Sequence, residues 1–464
     1  MTTTAVRSSH TSRRRGLIAC AAVLTTLLTV PAPSPAPARA AHGADDPTNV
    51  ILLIGDGMGD SEITLARNYT VGATGRLAMD RLPVTGASLT SSVDEHGRPD
   101  YVTDSAAGAT AWATGRKTVN GRVSKTPDTD RPLPTLLELA QRQGHATGSV
   151  TTASVTDATP AALTAHVTDR SCKGPADMAE CPTDTLARGG AGSIAEQSVA
   201  RRPDVLLGGG AGVFGQTIAQ GPHQGRTVLQ QARASGYQVV RDRAELAAAR
   251  PGKPVLGLFA DESVPVEWSG RPAAVGGTAP QRCARNAARP AGTPDLAEST
   301  RAALRLLTAG RGVADGGPAG TGAKKGKGFF LQVEGASIDD KDHDADPCGQ
   351  IGETAAFDRA VAAALEFAAG HPRTLVIVTA DHGHASQIIP TDARPPGLSA
   401  TLVTDEGSPM HVGYATNATD DVQEHTGVQV RVAAQGPQAH RVQGVHDNTA
   451  LFGTVRAALG LRRE

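Results

Sequence analysis

The chain has 464 residues, 39% of them apolar by type, enough to bury a sizeable core in one large domain or two smaller ones. Its formal net charge is −1 and aromatic residues make up only 3%, so neither a basic patch nor a stacking platform for nucleic acid is expected. Abundant glycine and alanine point instead to close packing of helices and strands with many turns.

The first forty residues read as an export signal: Arg13, Arg14 and Arg15, an apolar run from Leu17 to Val30, then Ala38-Arg39-Ala40 as a cleavage site. Ser12-Arg13-Arg14 ahead of a glycine and a leucine fits a twin-arginine signal, and a general secretory signal fits as well. Too few apolar residues precede Cys20 for a lipoprotein box. The mature chain is expected to begin near Ala41 as residues 41–464, and loss of five arginines takes the net charge from −1 to −6. The apolar run is too short to span a bilayer and no other long one follows, so a soluble secreted protein is expected. Of the four remaining cysteines, Cys172 and Cys181 are close in sequence and Cys283 and Cys348 are left over, which favours those two bridges among three pairings. A zinc thiolate site is the alternative, but no C-x-x-C pair is present.

Val50 to Ile54 is a buried strand ending in Gly55-Asp56-Gly57-Met58-Gly59, which delivers Asp56 between glycines that leave the backbone open to close approach. A simple turn reads the same way. Asp60 then caps a helix from about Ser61. In Tyr101 to Trp112 an extended segment turns into small helix-compatible residues. Asp104 is the N-cap and Ser105 sits at the helix N-terminus, where free N–H groups favour an anion. Ser105 is either part of the cap or a nucleophile; no Gly-x-Ser-x-Gly elbow surrounds it, so its activation would fall to a metal.

Leu133 to Gln143 reads as an amphipathic helix and Thr147 to Thr152 as a strand. Asp157 and Thr159 follow with oxygen ligands of the hard type that suit magnesium, or as caps of a helix beginning at Pro160. Arg170, beside Cys172, offers a guanidinium fork for phosphate or is a surface arginine. The middle of the chain shows strands at Asp204 to Leu207 and Val255 to Phe259, a helix from Thr293-Pro294 to about Leu307, and a glycine- and lysine-rich loop from Gly310 to Gly328.

Phe329 to Val333 is another short buried strand, with Glu334 at its end and Asp339 and His343 four residues apart, hence on one helical face. A carboxylate and an imidazole presented together grip zinc; a charged surface loop is the alternative. Glu353 to Ala369 is a helix stopped by Gly370 and Pro372. Thr374 to Thr379 is a strand running into Asp381-His382-Gly383-His384. His425 precedes a strand from Val428 to Ala433, and Asn448 to Leu459 is a closing helix. The alternation predicts an α/β fold with a mostly parallel sheet covered on both faces, ligands binding at the carboxyl ends of its strands.

Taken together, Leu52 to Ile63 (LLIGDGMGDSEI), Tyr101 to Ala107 (YVTDSAA), Asp157 to Leu163 (DATPAAL), Val333 to Asp339 (VEGASID), Thr379 to His382 (TADH) and Glu424 to Gly427 (EHTG) closely resemble the bacterial periplasmic type of alkaline phosphatase. They run in family order over almost all of the mature chain. The resemblance implies a three-layer α/β/α sandwich and a secreted phosphomonoesterase with two Zn2+ and one Mg2+. Asp339, His343 and His425 would hold one zinc, and Asp56, Asp381 and His382 the other. Asp56 would also touch a magnesium held by Thr159 and Glu334, on which Asp157 acts through waters. Ser105 would be the nucleophile and Arg170 the phosphate clamp. The family's disulfides fall on Cys172–Cys181 and Cys283–Cys348, and a homodimer is implied. One departure stands out: Asp340 follows the zinc-binding aspartate, where many bacterial members carry lysine and animal ones histidine. A sulfatase would need a C-x-P-x-R segment, which the chain lacks. A phosphodiesterase of the same superfamily and a phosphate- or metal-binding protein without turnover are the remaining readings.

Overall fold

The computed structural model describes residues 49–309 and 327–462. The expected export signal, and all but the last two residues of the glycine- and lysine-rich loop, lie outside them. The centre of the molecule is β1 (Asn49–Gly55), buried at every position. Val50, Leu52 and Ile54 feed one apolar layer while Ile51 and Leu53 feed the other, the period-two division of a strand covered on both faces. Each such side chain contributes about 1.5–3 kcal/mol on burial, so β1 alone anchors both layers.

Around it, in chain order, lie α1 (Asp60–Val71), β2 (Val84–Leu89), α2 (Ser105–Thr114), α3 (Leu136–Arg142), β3 (Ala146–Ser154), α4 (Ala158–Thr164), β4 (Val205–Gly209), β5 (Gln238–Val240) and β6 (Val255–Leu258). Then come α5 (Leu296–Thr308), β7 (Phe329–Gly335), α6 (Ser337–His343), α7 (Pro347–Gly370), β8 (Thr374–Ala380), β9 (Val430–Gln435), β10 (Gly444–Asp447) and α8 (Ala450–Ala458). The ten strands pair in the order β10-β2-β9-β8-β1-β7-β3-β4-β6-β5. Only β9 runs against its neighbours. Helices α5 and α7 cover one face, and α2, α3, α4 and α8 the other. This is the expected three-layer sandwich.

Register places the chemistry. Ile54 lies opposite Glu334 on β7 and Thr379 on β8, and Glu334 lies opposite Thr151 on β3. β1, β7 and β8 therefore end level and β3 runs slightly further, to Ser154, so that whatever follows each emerges at one edge.

Several expected boundaries move. The helix expected from Leu133 starts at Leu136, because Pro132 and Pro134 hold the approach extended and Thr135 forms a capping box with Glu138. The helix expected from Pro160 begins at Ala158. Asp60 lies inside α1 rather than capping it, and pairs with Arg431. Asp295 caps α5, which begins at Leu296. α7 starts six residues before Glu353, where Asp346 accepts from the amides of Cys348 and Gly349 and Pro347 opens the helix. A separate four-stranded sheet, Ala274–Val275, Leu398–Val403, Pro409–Tyr414 and Gln387–Ile389, was not foreseen. Both expected disulfides are present, Cys172–Cys181 and Cys283–Cys348.

Candidate active site and metal centre

Asp56 directly follows β1, and Asp381 and His382 directly follow β8, the neighbouring strand. Gly57 turns the chain with φ 65°, and a Cβ there would meet Asp339 Oδ1 at 3.0 Å, so glycine keeps this approach open. Its N–H and that of His382 both donate to Asp381 Oδ1 at 3.0 Å. His382 Nε2 lies 3.4 Å from Asp56 Oδ1 and 3.5 Å from Asp381 Oδ2. Ser105, only 2% exposed, joins this group from the first residue of α2. Its Oγ donates to Asp56 Oδ1 at 3.2 Å and stands 3.4 Å from His382 Nε2. Capping of α2 is done by Asp104, which accepts from Ala107 N at 2.9 Å, so the Ser105 hydroxyl is left for chemistry. Gly108 lets α2 sit close, since a Cβ there would lie 3.2 Å from Asp381 Cβ.

On the other side of Asp56, Thr159 Oγ1 reaches its Oδ2 at 3.5 Å. Glu334 accepts from Thr151 Oγ1 at 2.5 Å. Burial, then the charges of Asp157 and Asp381, outweigh its threonine hydrogen bonds and push its carboxyl up to about 8. Burial and the neighbouring carboxylates Asp381, Asp339 and Glu334 likewise raise Asp56 well above the ordinary range. So many carboxylates in a dry site require cationic charge.

Asp339 and His343, on α6, meet His425 from the loop before β9 and His384 from the loop after β8. Asp339 Oδ1 is 3.3 Å from His425 Nε2 and 3.1 Å from His384 Nε2, and its Oδ2 is 3.3 Å from His343 Nε2. The Nε2 atoms of His343 and His425 face each other at 3.1 Å. His384 was not singled out as a site residue in the sequence, although Asp381-His382-Gly383-His384 contained it. Hydrogen bonding sorts the four rings. His343 Nδ1 faces Gln423 O, His425 Nδ1 faces Thr103 O at 3.0 Å, and His382 Nδ1 faces Gly383 O at 3.2 Å. Each must donate there, which leaves the Nε2 lone pair for a metal. His384 is reversed: its Nδ1 accepts from Ala385 N at 2.8 Å, so Nε2 carries the proton and turns toward Asp339. The two groups touch without a hydrogen bond between them, and His384 has no lone pair to give on that side.

Arg170 and Asp157 occupy the remaining side of the cleft. Arg170 lies 3.2 Å from Asp104 and 3.4 Å from Asp157, and Lys173 is 3.1 Å from the same Asp157 oxygen. Asp157 makes no cap hydrogen bond to α4, so its carboxylate belongs to this ion network. Burial opposes its charge, but Arg170 and Lys173 hold its carboxyl below the ordinary value. Asp340, on the exposed side of α6, is pushed up to about 6 by partial desolvation and by Asp339 and Asp157.

Every residue expected at the site thus converges on one edge of the sheet. A family model described as alkaline phosphatase matches residues 47–419 and 400–461. The chain belongs to the alkaline phosphatase family. It is 73% identical over 450 residues to streptomycin-6-phosphate phosphatase of Streptomyces griseus, covering 97% of this chain and 98% of that one. It is 51% identical over 423 residues to the alkaline phosphatase of Escherichia coli K12, covering 89% and 86%. In fold it is similar to the alkaline phosphatase of the Antarctic bacterium TAB5, with a TM-score of 0.66 at 24% identity over 90% of this chain and all of that one.

As an alkaline phosphatase it is a phosphoric monoester hydrolase, and its donor sets suit metal cofactors. Within Asp339, His343, His384 and His425, and within Asp56, Asp381 and His382, one ligand atom from each residue lies within 4.8 Å of the others. Asp339 Oδ1 and Asp381 Oδ2 are buried without a hydrogen bond. Lone pairs aimed at a shared point, with no proton between them, fit a metal ion better than a protein contact.

Proposed function

We propose that this phosphatase transfers the phosphoryl group of a monoester to Ser105 and then to water. The reading rests on one observation: Ser105 Oγ, free of any capping duty at the N-terminus of α2, lies within 3.4 Å of both Asp56 and His382. Asp339, His343 and His425 would hold one zinc and Asp56, Asp381 and His382 a second. Thr159 and Glu334, with Asp56, would hold a magnesium on which Asp157 acts through waters. Bound there, the ions supply Lewis-acid stabilisation of the attacking and departing oxygens. Ser105 Oγ attacks phosphorus in line, its hydroxyl proton facing Asp56, while the bond to the alcohol oxygen breaks on the opposite side. Arg170 and the first N–H groups of α2 bind the phosphoryl oxygens left between. Water then cleaves the phosphoserine and releases inorganic phosphate. Because the contacts are to the phosphoryl group, many leaving groups are accepted. A phosphate- or metal-binding protein without turnover does not require a hydroxyl at position 105, and Arg170 together with Thr159 and Glu334 favours monoesters over diesters.

The 73% identical relative named for streptomycin 6-phosphate leads us to include that ester among the candidate substrates. Residues 1–40 would direct export and residues 41–464 form the catalytic unit, and a homodimer is expected from the family. The deciding experiment follows a chromogenic monoester and the matching diester at alkaline pH before chelation, after it, and with zinc and magnesium restored, and traps the labelled intermediate. Monoester turnover that depends on both metals, with phosphate on Ser105, is the expected result. Preferential diester turnover, or phosphate binding without turnover, would sink the reading.

A further inference from the structure

Arg170 is expected to bind the phosphoryl group, yet both of its terminal nitrogens already face carboxylates, one 3.2 Å from Asp104 Oδ2 and the other 3.4 Å from Asp157 Oδ1. A guanidinium shared between two anions has little charge left to offer a third. A second cation corrects this. Lys173 Nζ lies 3.1 Å from the same Asp157 oxygen, and among the described residues Asp157 is its one ion-pair partner. With Lys173 in place the charges of Arg170, Lys173, Asp104 and Asp157 cancel; without it one negative charge is left over, facing an anionic substrate.

The segment that carries Lys173 is anchored by bonds that do not involve its side chain. Arg170 N donates to Gly121 O at 2.7 Å, Ile194 N to Cys172 O at 3.1 Å and Ala195 N to Lys173 O at 2.9 Å, while Cys172 is bridged to Cys181. From this anchor the Lys173 side chain, 36% exposed, reaches the half-buried Asp157. Exposed lysines are usually left to solvent. This one is directed at the carboxylate that serves both the guanidinium and the expected magnesium.

We propose that Lys173 is a positioning residue that acts through Asp157, sharing its charge so that Arg170 can turn to the phosphoryl oxygens, and weakening the hold of Asp157 on magnesium. The inference rests on the reading above, in which Arg170 binds phosphate and Asp157 acts on magnesium through waters. It gives the two ligands opposite signs, whereas a merely structural loss would weaken both. The test is Lys173→Met, which keeps the aliphatic stem and removes the charge, with Lys173→Arg to restore it. In the holoenzyme the Kd for inorganic phosphate, measured by calorimetry, should rise about two- to fivefold in Lys173→Met, the size of a partly exposed ion pair, and KM for a monoester should rise with it. The magnesium concentration that half-fills the site, read by elemental analysis with zinc saturating, should fall by a similar factor. Lys173→Arg should return both constants toward the native values, and added salt should shrink the phosphate effect. Both constants moving the same way, either one unchanged, or no recovery in Lys173→Arg would overturn the proposal while leaving the phosphatase intact. A native enzyme that fails to bind phosphate or magnesium would overturn the reading above and this one with it.

Discussion

The two donor groups use the same chemistry on different supports. Asp56, Asp381 and His382 are buried at the ends of β1 and β8, which pair with each other in parallel register from Asn49 to Gly55. Asp339, His343 and His425 stand on the seven-residue α6 and on a loop, with side chains 12%, 26% and 12% exposed. The first group is held by the sheet itself. The second is held by two imidazole-to-carbonyl hydrogen bonds and by His384. Ser105 sits against the rigid group, and on the proposed reading the leaving group would face the accessible one, which would suit a site that must fix one oxygen and release another.

The largest expected effect tests the rigid half. Ser105→Ala should lower kcat/KM for a chromogenic monoester by at least about 10³-fold, the range for loss of a nucleophile. Metal content by elemental analysis should stay unchanged, because no donor is removed. Activity within tenfold of the native enzyme would mean that the hydroxyl beside Asp56 is not the attacking group.

The next effect tests the accessible half. His384→Ala removes the imidazole packed against Asp339 and should weaken metal retention at Asp339, His343 and His425 by about 10- to 100-fold. Competition with a graded chelator should show that loss while the Asp56, Asp381 and His382 group keeps its ion. Equal weakening at both groups would erase the distinction between them.

Burial alone does not make a site, and Glu353 sharpens that point. It lies on α7, away from both groups, and accepts from Glu267 N at 2.8 Å. Burial, with a smaller push from Glu267, raises its carboxyl to about 7. Its unfolded value is near 4.5, so the folded chain binds the proton more tightly. Stability from this group is therefore full below pH 4.5, falls as pH rises toward 7, and stays reduced above. Glu353→Gln keeps an acceptor without the charge and should gain about 1–2 kcal/mol at pH 9 and almost nothing at pH 4. Denaturant unfolding at the two pH values reads it directly. An equal gain at both would mean that the carboxyl is not held protonated.

How much of this was legible follows from where each residue stands. Asp56, Glu334, Asp381 and His382 could be found because continuous apolar strands run straight into them, and Asp339 and His343 because their spacing fixes a shared helical face. His384 could not be assigned, since its role is decided by the Ala385 amide that sets its tautomer. Helix starts slipped where prolines or distant caps intervene, as at Pro134 and Asp346. The strand expected at Val428 begins at Val430 because Thr426 bridges to Gly383 instead, which is what carries His425 to the metal group. The short strands at Ala274–Val275 and Gln387–Ile389 have no pattern of their own and exist through their partners.

The smallest effect concerns Asp340 itself. It sits at the edge of the accessible half, between Asp339 and solvent, and its charge adds to that of Asp157. A second acid there opposes a bound phosphate anion, so product leaves a less attractive site. Asp340→Lys reverses that charge and should tighten competitive inhibition by inorganic phosphate up to about fivefold, the scale of one exposed charge pair. The effect should fade as ionic strength rises. Were the inhibition constant unchanged at low salt, Asp340 would lie outside the field felt by bound phosphate, and the accessible half would be tuned by its metal donors alone.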